Sequence, residues 1–86
     1  LTIAEPREAA NQRVIDAVNQ AIIRAGAGLA GVSVLRNDLL LSPHGYQEVI
    51  RYQGRDVDVR EPDGLHLNVS GTAIEASEAA AAVRRR

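Results

Sequence analysis

Cysteine, methionine, tryptophan and phenylalanine are all absent from this 86-residue sequence. Lysine is absent too, so its ten basic residues are all arginine. Without cysteine there is neither a disulfide framework nor a thiolate metal site. Tyr46 and Tyr52 are the only aromatic residues. No apolar run approaches the roughly 20 residues of a membrane span. The formal net charge of −1 argues against a nucleic-acid partner, because a phosphate-binding groove needs an excess of cation. Internal repeats and low-complexity linkers are missing as well, which removes repeat architectures.

What remains is aliphatic. Apolar residues make up 45%, but 14 of those 39 positions are Ala, leaving eight Leu, nine Val and six Ile to build a core. Domains of this size usually lean on large side chains, disulfides or a metal. The expectation is one small folded unit that is a piece of a larger domain. The chain opens on Leu1 rather than Met and closes on Arg84-Arg85-Arg86, which fits a fragment or a processed chain. That arginine run reads as favourable charge at a helix C-terminus, or as a contact for phosphate or anionic lipid.

Residues 1 to 6 read as an extended lead-in ended by Pro6. The spacing of Ala10, Val14, Ala17, Val18, Ala21, Ile22 and Ala25 predicts a helix over about residues 6 to 25, with that stripe inward and Gly26 and Gly28 as its stop. Val32-Ser33-Val34-Leu35 reads as a strand. Helix, glycine-rich turn and strand make half of a βαβ unit, whose first strand is expected elsewhere. Leu39-Leu40-Leu41 reads as an anchor before a turn at Ser42-Pro43-His44-Gly45. Residues 49–52 and 57–60 read as a hairpin joined by Gln53-Gly54-Arg55-Asp56, and Arg51, Arg55 and Arg60 are expected on its solvated face. The tyrosines are expected to add bulk to a small core. A final helix runs from Val69 to about Arg84, capped by Asn68 or Ser70, with Ile74, Ala81 and either Ser77 or Glu78 setting its faces.

The stretch that can carry chemistry is Asp63-Gly64-Leu65-His66, followed by Asn68 and Gly71 at the start of the last helix. An Asp three residues before a His, with Gly between them, can fold its carboxylate back onto the imidazole. It would accept the Nδ1 proton, fix the tautomer, aim Nε2 outward and stabilise the imidazolium. The plain alternative is that Asp63 and Asn68 shape a turn and a cap, and His66 is a surface or packed histidine. His44 could join the pair as a two-His, one-carboxylate metal site, but its spacing follows no recognised pattern, and no metal is expected.

This block resembles the last block of the SGNH (GDSL-type) hydrolase superfamily, in which an Asp-x-x-His pair lies just before the C-terminal helix. The resemblance extends over roughly residues 8 to 84, and the hairpin is most similar to actinobacterial branches. It implies an α/β fold, the C-terminal part of an SGNH-like α/β/α domain with a parallel sheet, incomplete alone, with residues 1–86 as one fragment. It implies ester hydrolysis or acyl transfer through a Ser-His-Asp triad, with His66 as general base and then acid, Asp63 as its orienting carboxylate, and no cofactor. The family's Gly-Asp-Ser block is missing: Ser33, Ser42, Ser70 and Ser77 do not lie in one, and neither Gly31 nor Asn37 matches its oxyanion-hole context. Nucleophile and oxyanion donors are therefore expected from the preceding part of the domain, on the same protein or a co-purifying chain. An acyl-ester substrate and an extracytoplasmic or secreted location follow from the same resemblance. The alternative is a non-catalytic α/β binding or assembly module that docks the first helix and lone strand on a partner.

Overall fold

The structure, a computed structural model, describes residues 1–85; Arg86, the last of the terminal arginines, lies outside them. Thr2, Ala4 and Pro6 are buried while Leu1 and Ile3 are exposed, the alternation of an extended chain with one face inward. This lead-in is pinned along its length. The Thr2 N–H donates to the Leu35 carbonyl at 3.0 Å, and the Glu5 N–H to Ser42 Oγ at 2.9 Å. The Asn19 amide holds both sides of Ile3, accepting its N–H at 2.7 Å and donating to its carbonyl at 2.8 Å.

Helix α1 spans Ala9–Ala27. It begins three residues after Pro6 and runs through Gly26, with Gly28 as its C-cap. Its inward face is not the predicted stripe: Val14 is 61% exposed, Val18 is also exposed, and the buried residue is Asn19. Ile15, Ile22 and Ile23 flank it half-buried. The reason lies in Asn19. Its amide replaces water with two backbone partners on Ile3, so burying it carries little penalty. The alanines of the predicted stripe, by contrast, gain little by facing inward.

The expected strand at Val32–Leu35 is also corrected. These residues belong to no strand, and a strand is stable only within a ladder. Among the described residues, Thr2 and Asn37 are the backbone donors to Leu35, and no ladder extends from it.

Helix α2, Asn37–Leu41, buries Leu41. Strands β1 (Val49–Tyr52) and β2 (Arg55–Asp58) pair antiparallel with Val49 opposite Asp58 and Tyr52 opposite Arg55. Gln53 and Gly54 have φ of 50° and 81°, the two positive angles of a two-residue type I′ turn. The turn is thus shorter than the sequence implied, and Arg55 and Asp56 belong to β2. Helix α3 runs over Val69–Arg84, with Ile74 buried and Glu78 and Ala81 half-buried on the same side. Ala4, Leu41, Ile50, Val59 and Ile74 form the core, with Leu40, Tyr52, Val57 and Leu67 packed around it. The result is a mixed α/β unit whose sheet is a single antiparallel hairpin. No helix among the described residues is long and apolar enough to cross a membrane.

The start of α3 is fixed by two features. Asn68 caps it, its Oδ1 accepting the Gly71 N–H at 2.8 Å. Gly71 lies against the preceding chain so closely that an added Cβ would stand 2.4 Å from the Val59 carbonyl oxygen. Backbone cannot yield as a flexible side chain can, so Gly71→Ala is expected to destabilise the chain by about 1–3 kcal/mol. Urea denaturation of the variant measures this.

Candidate functional site

Residues 60 to 67 form a loop closed at its base. Arg60 and Leu67 are bridged antiparallel, the Glu61 N–H donates to the His66 carbonyl at 2.9 Å, and the Asn68 N–H to the Val59 carbonyl at 3.0 Å. Inside the loop Gly64 has a φ of +72°, which L-residues seldom adopt. A Cβ there would also stand 2.6 Å from the Arg7 guanidinium. This bend brings the two expected site residues together. Asp63 Oδ2 lies 2.5 Å from His66 Nδ1, and Asp63 Oδ1 accepts the N–H groups of Leu65 (2.8 Å) and His66 (3.0 Å).

The hydrogen bond from His66, followed by the Leu65 and His66 N–H groups, holds the Asp63 carboxyl down at about 2. Stabilisation from this pairing is therefore complete above the ordinary 3.8 and is lost as pH falls through about 2. At neutral pH Asp63 is a carboxylate and can only accept, so the proton between them belongs to His66 Nδ1. In the neutral imidazole, Nε2 then carries the lone pair. The imidazole is 72% exposed and Asp63 47%. No protein group among the described residues hydrogen-bonds to Nε2.

The carbonyls of the loop are held from outside it. The Arg7 N–H donates to Gly64 at 2.8 Å, and its guanidinium to Pro62 at 3.4 Å and Asp63 at 3.3 Å. Arg60, expected on a solvated face, is 4% exposed. Its guanidinium donates to the Leu65 carbonyl at 3.2 Å and the Glu5 carbonyl at 2.5 Å, and lies 5.0 Å from the centre of the Tyr46 ring. Burial pushes Arg60 below its ordinary value, against the opposing pull of Tyr46, Glu5 and Asp63. The strand alternation that places Val57 and Val59 inward puts Arg60 outward. Beyond the end of β2 the chain is covered on both sides, so Val59 and Arg60 are both buried. Arg51 and Arg55 are exposed as expected, and Tyr52 donates to Glu78 across to α3 at 2.8 Å.

Burial, and then Asp16, raise Glu5 to about 7, with Asp38 adding to the effect and Arg60 opposing it. A raised carboxyl binds its proton more tightly when folded. Its stabilisation is complete below 4.5 and is lost as pH rises through about 7. Glu5→Gln, permanently neutral, is expected to flatten that decline in stability, and thermal melts across the interval measure it.

His44 sits exposed in its turn, its N–H 3.3 Å from Gln47 Oε1. Among the described residues no three His, Cys, Asp or Glu side chains cluster as a metal site. An Asp-paired imidazole with an exposed Nε2 can exchange a proton there, and among the described residues no serine hydrogen-bonds to the pair. Compared with protein-family models, curated proteins and solved structures, the chain matches none of them.

Proposed function

We propose that this chain supplies the base and the orienting carboxylate for acyl transfer from an ester, as hydrolase or acyltransferase, within an SGNH-like domain. The observation that carries the reading is the 2.5 Å contact between Asp63 Oδ2 and His66 Nδ1, with an exposed imidazole beyond it. In this scheme Nε2 takes the proton of a serine hydroxyl as its oxygen attacks the acyl carbonyl. Asp63 stabilises the imidazolium, and His66 returns the proton to the departing alcohol. Water or a second alcohol then accepts the acyl group by the same steps in reverse.

The serine and the oxyanion donors come from the preceding part of the domain, in the same protein or a co-purifying chain outside the cytoplasm. Denaturing intact-mass analysis of the purified material identifies the other segment. A fluorophosphonate probe is then expected to label a serine outside residues 1–86, and His66→Ala to abolish that labelling. Labelling at an unchanged rate in His66→Ala sinks the reading. A second reading, a non-catalytic assembly module, draws on the exposed Val14, Val18, Leu29 and Val32, which a partner surface would cover. A lack of labelling in the assembled protein favours it.

A further inference from the structure

Every backbone polar group of Gly64, Leu65 and His66 is engaged. The N–H groups bond to the Glu61 carbonyl and to Asp63 Oδ1, and the carbonyls accept from Arg7, Arg60 and Glu61. One of these partners is out of the ordinary. Arg60 is 4% exposed, yet no carboxylate stands within ion-pair distance of it among the described residues. Its Nε is buried with no partner. Removing a guanidinium from water without a counter-charge is costly, and an apolar side chain of similar volume would pack the same space at lower cost. The fork instead spans two carbonyls, Leu65 on the site loop and Glu5 on the lead-in, over the face of Tyr46. Leu65 is the residue whose peptide leads into His66.

We propose that Arg60 is a positioning residue for His66: its buried fork fixes the Leu65 peptide, and through it the direction in which the imidazole presents Nε2. This rests on the reading of His66 as a base for its catalytic consequence, though not for its structural one. The two terminal nitrogens of the guanidinium each hold one carbonyl, whereas a lysine has a single, more flexible nitrogen that would have to reach both.

Arg60→Lys is the informative variant, since it keeps the charge and the stem. Imidazole ¹⁵N spectra of the 86-residue chain read the tautomer directly. The wild type is expected to hold Nδ1–H, and Arg60→Lys to shift toward a mixture with Nε2–H while the Ile50, Val59 and Ile74 methyl signals stay in place. In the assembled protein, kcat toward p-nitrophenyl acetate is expected to fall by about 10- to 100-fold with little change in KM. A folded Arg60→Lys chain with the wild-type tautomer and kcat overturns the proposal. Should Arg60→Lys not fold, Tyr46→Leu removes the ring beneath the guanidinium. A smaller shift of the same kind is then expected, and an unchanged tautomer overturns the proposal. A tautomer shift in an assembled protein that hydrolyses no ester refutes the enzymatic reading alone.

Discussion

Replacing His66 with alanine in the assembled protein is expected to lower kcat toward an acyl ester by about 10⁴-fold while leaving the fold unchanged. The two halves of this result have separate causes. The imidazole is 72% exposed and among the described residues its side chain bonds only to Asp63, so its removal opens no cavity, and such surface changes usually stay within about 0.5 kcal/mol. In the proposed scheme the chemistry depends on one lone pair at Nε2. Asp63→Asn tests the same point from the other side. Its amide can donate to Nδ1 where the carboxylate could only accept, which drives the imidazole proton to Nε2 and removes the base. A loss of similar size is expected, although the side chain keeps its shape. Ester turnover under saturating substrate measures both, and a decrease of less than tenfold in His66→Ala would exclude it as the base.

The pair was legible in the sequence because it is local. Asp63, Gly64 and His66 fall within four residues, and the bend that joins them needs only a residue tolerant of positive φ between them. The hairpin and α3 were legible for the same reason: a glycine turn between β-branched runs, and an Asn cap before an alanine-rich segment. The supports of the loop were not. Arg7 reaches Pro62 across 55 residues, and Arg60 reaches Glu5 across the same distance, and no periodicity reports such contacts. Alternation along β2 even pointed Arg60 the wrong way, since a strand pattern assumes one wet face. The Val32–Leu35 run has strand-forming residues, but a strand is a property of its neighbours as much as of its own side chains.

Helix α1 shows the same limit in energetic form, and a pair of substitutions exposes it. Leu41→Ala is expected to cost about 2–5 kcal/mol, because Leu41 is fully buried within the cluster of Ala4, Ile50, Val59 and Ile74, and its loss removes buried methyl groups from the centre of that cluster. For a chain whose whole stability is of order 5–15 kcal/mol, the upper end of that loss approaches unfolding. Val14→Ala in the isolated chain is expected to change stability by less than about 0.5 kcal/mol, since Val14 already faces water. Had the Val14 and Val18 stripe been the inward face, truncating Val14 would have removed buried methyl groups and cost more. Urea midpoints of the two variants separate these cases. A large loss in Val14→Ala would place α1 the other way round, with Asn19 outward and its hold on Ile3 released. The inward face of this helix thus carries one amide that meets both the N–H and the carbonyl of Ile3 in the lead-in, a contact with no trace in the spacing of the apolar residues.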